Sequence, residues 1–97
     1  MQTTSEYIDK IKAIESVLRE KYGIRSLRIF GSVSRGEQKE GSDVDVFVEM
    51  TPNLFLMVNL KRYLEETLQT SVDVVRKHNH INPYLLDEIE EDGINVF

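Results

Sequence analysis

Apolar side chains recur along residues 3 to 22 at Tyr7 and Ile8, Ile11, Ile14, Val17 and Leu18, and Tyr22, a three-to-four spacing that lines one face of a helix. The spacing predicts a single helix over this stretch. Thr3 with Glu6 three residues later makes a capping box at its start, and Gly23 stands where a helix end calls for a left-handed residue. Ile24 to Phe30 then alternates, with Leu27 and Ile29 on one side and Arg28 and Phe30 on the other. That period of two predicts a strand. A second alternating run follows at residues 43 to 49, where Val44, Val46 and Val48 share one face and Asp43, Asp45 and Phe47 the other. Between the two strands, Gly31 to Ser42 holds three Gly and three Ser, the composition of a turn. A short helical turn is expected between Ser34 and Gln38.

Helical spacing returns at Leu56, Leu60, Tyr63, Leu64 and Leu68. Thr51 followed by Pro52 reads as an N-cap with proline at the first helical position. The five consecutive apolar residues Leu54 to Val58 cover more than one helical face. Burial against the sheet is the expected reason, with a hydrophobic partner interface as the alternative. Ser71 to Arg76 is a valine-dense strand carrying Asp73, Pro83 to Glu91 a short acidic helix ended by Gly93, and Ile94 to Phe97 a terminal edge strand. The expected fold is therefore α/β (α+β), a short mixed sheet of three to four strands covered by helices.

Composition narrows the function classes. The 97 residues are expected to form one domain spanning 1–97, with no space for a second domain that grips a large substrate. The chain has no cysteine, which excludes disulfides, thiolate zinc sites and a cysteine nucleophile and fits a cytoplasmic protein. No apolar run approaches the roughly 20 residues of a membrane span, so no membrane role is expected. A formal net charge of −5 argues against stable nucleic-acid binding driven by counterion release. It does not argue against a small phosphate ligand held by backbone amides, a few basic groups and metal ions. Lys77-His-Asn-His80 lacks further ligands at zinc spacings and reads as a surface turn.

Three carboxylates stand apart. Asp43 and Asp45, two apart on a strand, point to the same side with Cα atoms roughly 6.5 to 7 Å apart. Asp73 joins them if its strand lies alongside. Two such charges ~5 Å apart repel by about 3 kcal/mol at an effective dielectric near 20, a cost that a divalent cation such as Mg²⁺ or Mn²⁺ would offset. Asp-x-Asp alone is weak evidence, since roughly a third of chains of this composition contain one by chance. The Gly31-Ser32 pair at the exit of the preceding strand adds a phosphate-binding turn next to the acids: glycine admits close backbone approach, and the Ser32 hydroxyl and nearby amides donate to phosphate oxygens. Arg35 in the same turn either contacts a triphosphate or is simply solvated.

Gly31-Ser32, ten residues, Asp43-Val44-Asp45 and the later strand acid Asp73 together resemble the signature of the DNA-polymerase-β-type nucleotidyltransferase superfamily. In detail, Phe30-Gly-Ser-Val-Ser-Arg-Gly-Glu37 and Ser42-Asp-Val-Asp-Val-Phe-Val48 resemble the minimal nucleotidyltransferases (MNT), which often pair with a helical HEPN-type toxin. One departure is Val33, where many relatives carry a basic residue. The resemblance covers almost the whole chain. It implies Asp43, Asp45 and Asp73 as catalytic residues and ligands of two Mg²⁺ ions, and Gly31, Ser32 and Arg35 as nucleotide-binding residues. It also implies ATP as substrate, with AMP moving to a hydroxyl, expected to be a tyrosine, of a cognate HEPN-type toxin. The chain would then be an antitoxin acting as an enzyme. The alternative is a non-catalytic antitoxin that neutralises its partner by contact, its acids vestigial.

Overall fold

The expected alternation builds the centre of the sheet. In a computed structural model that describes residues 2 to 97, β1 (Ser26–Phe30) and β2 (Val44–Glu49) pair antiparallel, with Phe30 opposite Asp45 and Leu27 opposite Val48. β3 (Val72–Arg76) lies parallel to β2, with Asp45 opposite Asp73. The two-residue β4 (Ile94–Asn95) closes the other edge against β1, so the order is β3-β2-β1-β4. This is a mixed sheet of four strands, within the three to four that the pattern called for. No helix among the described residues is long and apolar enough to cross a membrane.

Leu27, Ile29, Val44, Val46, Val48 and Val72 all point to one face and are fully buried. Three helices cover that face: α1 (Thr4–Ala13), α2 (Glu15–Tyr22) and α4 (Leu54–Leu68), contributing Ile11, Leu18, Leu60, Leu64 and Leu68 to the same core. On the opposite face a smaller cluster joins Phe30 and Phe47 to Ile89 of α5 (Pro83–Asp92). This cluster reaches the acid-bearing end of the sheet, since Phe30 is the partner of Asp45.

Four local expectations are corrected. The stretch from 3 to 22 is two helices, because Ile14 leaves helical geometry at φ −110° and its N–H bonds Ile11 O at 3.1 Å in a tighter turn. Both halves bring apolar residues into the same core, Tyr7 and Ile11 from the first and Leu18 and Tyr22 from the second. The capping box at Thr3 and the left-handed Gly23, φ 67°, are as expected. The helical turn after β1 is α3 (Gly31–Ser34), starting directly at the strand end and not at Ser34. Asn53, and not Thr51, caps α4, since its Oδ1 accepts from Leu56 N at 3.1 Å. Finally, Leu54, Phe55 and Val58 are exposed, at 77%, 78% and 52%, so the apolar run at the start of α4 is not buried against the sheet. Only Leu56 and Met57 of that run pack on the core.

β3 is the outer strand on its side, and the start of its open edge is occupied. Val72 N donates to Glu65 Oε2 at 3.1 Å, and Lys61 Nζ donates to Val72 O at 2.8 Å.

Candidate active site

The parallel pairing of β2 with β3 puts Asp45 directly beside Asp73, and partners in register leave the sheet on the same face. Asp43, two residues before Asp45, lies immediately ahead of β2 and is exposed. The turn that follows β1 comes to the same end of the sheet, because Phe30 is the partner of Asp45. Gly31 then turns the chain at φ 73°, a conformation that favours glycine. A β-carbon on Gly31 would overlap the Asp45 carboxylate. The two motifs singled out in the sequence thus touch in the fold.

The turn is well fixed. Ser34 Oγ donates to Gly31 O at 2.7 Å, Ser32 O accepts from Glu37 N at 2.9 Å and Arg35 N at 3.2 Å, and Thr4 of α1 donates its hydroxyl to Val33 O at 2.6 Å. The Ser32 hydroxyl makes no hydrogen bond among the described residues, and Ser32 is half-buried, one residue after the glycine that abuts Asp45. It is free to donate to a ligand.

Burial is the main cause that pushes the Asp45 carboxyl up to about 6, with the negative charges of Asp73, Asp43 and Glu88 adding to it and Arg35 acting the other way. These four neighbours come from four parts of the chain, the C-cap of α3 (Gly31–Ser34), the approach to β2, β3 and α5, and all of them act on Asp45. Among the described residues, no three acidic or histidine side chains close around a single point. A cleft of about 520 Å³ lies beside the strand starts, lined by Gln2, Tyr7, Gln38, Gln69 and Thr70. The three acids are not among its lining residues; Asp43 and Asp73 are exposed and Asp45 is half-buried.

Arg35 points across to α5. Its Nη1 lies 3.2 Å from Asp92 Oδ2 and 3.6 Å from Glu88 Oε1, and its Nε lies 3.4 Å from Glu37 Oε2. The hydrogen bond to Glu37, with help from Asp92 and against the opposing effect of desolvation, raises the guanidinium pKa above its ordinary value. Glu88 and Asp92 were not legible as site residues, being two of many acids on a helix far along the chain. His78 and His80 lie on an exposed turn, with His80 N donating to His78 Nδ1 at 3.0 Å.

The profile of the polymerase β nucleotidyltransferase domain matches residues 12–97. The chain belongs to that family. A candidate protein adenylyltransferase of Methanocaldococcus jannaschii is 43% identical over 98 residues, which is 99% of this chain and 100% of that protein. The protein adenylyltransferase MntA of Thermococcus cleftensis is 43% identical over 79 residues, covering 79% of this chain and 80% of its own. A crystal structure of a toxin-antitoxin with AMP-PNP superimposes at a TM-score of 0.75 and 25% identity, covering 92% of this chain and 73% of that chain. The present protein is a minimal nucleotidyltransferase, an enzyme of the polymerase β type, and its turn and acids occupy the same end of the sheet.

Proposed function

We propose that this nucleotidyltransferase moves AMP from ATP onto a hydroxyl, a tyrosine side chain, of a cognate HEPN-type toxin, and so acts as a cytoplasmic antitoxin built from the single domain 1–97. The observation that carries the reading is the abutment of Gly31 on Asp45, which sets a phosphate-binding turn against a group of carboxylates. The names of the adenylyltransferase relatives and the AMP-PNP structure support ATP as the donor.

The carboxylate set suits hard divalent cations, since Asp45 is already burdened by the charges of Asp43 and Asp73. Asp43, Asp45 and Asp73 would hold two Mg²⁺ ions, with Mn²⁺ able to replace them. Bound there, such ions would supply neutralisation of the charge that an in-line displacement develops. The protein's own groups do the rest. Gly31 and Ser32 grip the terminal phosphates through backbone amides and the Ser32 hydroxyl, and Arg35 is within the same turn to reach them. Asp73 accepts the proton of the acceptor hydroxyl while that hydroxyl's oxygen bonds the α-phosphorus and the bond from the α-phosphorus to pyrophosphate breaks.

The second reading, neutralisation by contact alone, draws on the exposed Leu54, Phe55 and Val58 of α4, an apolar turn of the kind that docks on protein surfaces. Incubation with ATP, Mg²⁺ and the protein encoded beside this one separates the two. Intact-mass measurement of the partner is expected to show added AMP units. An unmodified partner that is nevertheless neutralised overturns the enzymatic reading in favour of contact.

A further inference from the structure

Arg35 is the C-cap of α3, and its own N–H is bonded to Ser32 O at 3.2 Å. The base of its side chain is therefore tied to the turn that carries the phosphate-binding hydroxyl. Its head is elsewhere. Glu88 and Asp92, one turn apart on the same side of α5, both reach the same Nη1, and Glu37 takes Nε. Three carboxylates share one guanidinium, and Glu88 also acts on Asp45.

A structural brace would be one reason for such a network, but α5 does not need it. The helix is already seated by Ile89 against Phe30 and Phe47, and its end is tied where Arg28 Nη2 donates to Gly93 O at 3.0 Å. The ion pairs of Arg35 are also exposed, with 35% of the Arg35 side chain and 37 to 46% of its α5 partners open to solvent. Exposed pairs of this kind contribute little to stability. A triphosphate offers the same guanidinium paired, charge-assisted oxygens, a stronger arrangement than a shared surface carboxylate.

We infer that Glu88 and Asp92 are positioning residues that compete with the nucleotide's phosphates for Arg35 and thereby set the affinity for the nucleoside triphosphate. In the free protein they hold Arg35 on α5; on nucleotide binding Arg35 exchanges them for phosphate oxygens. The inference rests on the nucleotide-binding reading above. Its sign is unusual, because removing polar contacts from a residue of the site improves binding.

The test is equilibrium binding of AMP-PNP with Mg²⁺ to the full chain, by calorimetry. Glu88→Gln with Asp92→Asn is expected to tighten binding about five- to tenfold, and Arg35→Met to weaken it by about tenfold. In the Arg35→Met background the same two substitutions are expected to give twofold or less. An equal gain in both backgrounds would mean plain charge repulsion and overturns the proposal. Weaker binding in the Glu88→Gln, Asp92→Asn variant, with an unchanged thermal midpoint, would make the two acids supports of Arg35 and also overturns it; each single variant gives the same reading if the double variant folds poorly. With AMP transfer to the partner followed in parallel, the expected effect falls on KM for ATP and leaves kcat within about twofold. No binding of AMP-PNP by the native chain removes the nucleotide reading itself and this inference with it, whereas native binding without coupling removes only the inference.

Discussion

The backbone of Gly31 occupies space that a β-carbon would take from the Asp45 carboxylate. Gly31→Ala therefore meets two obstacles, a left-handed φ of 73° and this overlap. Because the neighbour can swing away, the chain is expected to fold, with a stability loss of about 1 to 3 kcal/mol, but with Asp45 displaced and nucleotide transfer reduced at least a hundredfold. Gly23→Ala is the control. That glycine is also left-handed, φ 67°, but meets nothing, so it should lose about 1 kcal/mol of stability and no transfer activity. Thermal melts and an AMP-transfer assay on both variants check the pair, and equal activity losses would deny the close approach its role.

Ser32 is expected to hold phosphate without taking part in the chemistry. Ser32→Ala should weaken triphosphate binding by about 1 to 3 kcal/mol, the scale of a hydrogen bond to a charged group. Binding of Mn²⁺, followed by electron paramagnetic resonance, should stay near the native level. Unchanged nucleotide affinity would reduce the residue to an ordinary member of the turn.

Asp45 couples the site to pH. Its carboxyl is pushed up to about 6 in the folded chain, so between about pH 4 and 6 the folded state binds a proton that the unfolded state has released. Stability of the metal-free domain thus falls as pH rises through that window and stays lower above it. Asp45→Asn removes the penalty. With allowance for solvent screening, the variant should be more stable by about 1 kcal/mol at pH 8, a rise in melting midpoint of about 4 to 8 °C for a domain of this size. The gain should vanish near pH 4. Melts in the presence of a chelator at the two pH values measure this, and a gain of equal size at both would detach it from ionisation.

Asp43→Asn combined with Asp45→Asn separates catalysis from contact in cells. The double variant keeps the shape of both side chains, so the fold should survive. Transfer of AMP to the partner should disappear, and the partner should remain toxic even while the two proteins associate. Protection of cells by the double variant as good as that by the native chain would favour contact.

Much of this site is local in the sequence. Alternation alone put Val44, Val46 and Val48 on the buried face and the acids on the other, and the glycine-rich turn ends at the strand that carries them. The adjacency of β3 and β2 was a conditional step, met by the register of Asp45 with Asp73. What stayed hidden is tertiary. Glu88 and Asp92 reach Arg35 only because Ile89 seats α5 on Phe30 and Phe47, contacts separated by more than forty residues. The break at Ile14 has no glycine or proline to announce it. The exposure of Leu54, Phe55 and Val58 likewise depends on where the sheet stops, and apolar character alone does not report that.

The two bonds at Val72 have a consequence for how the molecule meets its own kind. Its N–H and carbonyl face away from β2, and an outer strand with both groups open invites another chain to continue the ladder. Glu65 and Lys61, one turn apart on α4, fill those valences, so a helix stands in for a fifth strand at this level of the sheet. Strand addition, the common route from a small sheet to a fibril, finds no free groups one residue before Asp73. Asp73 itself is aligned from the other side, by its pairing with Asp45, so the outward groups of β3 serve protection against self-association while its inward groups set the reactive end.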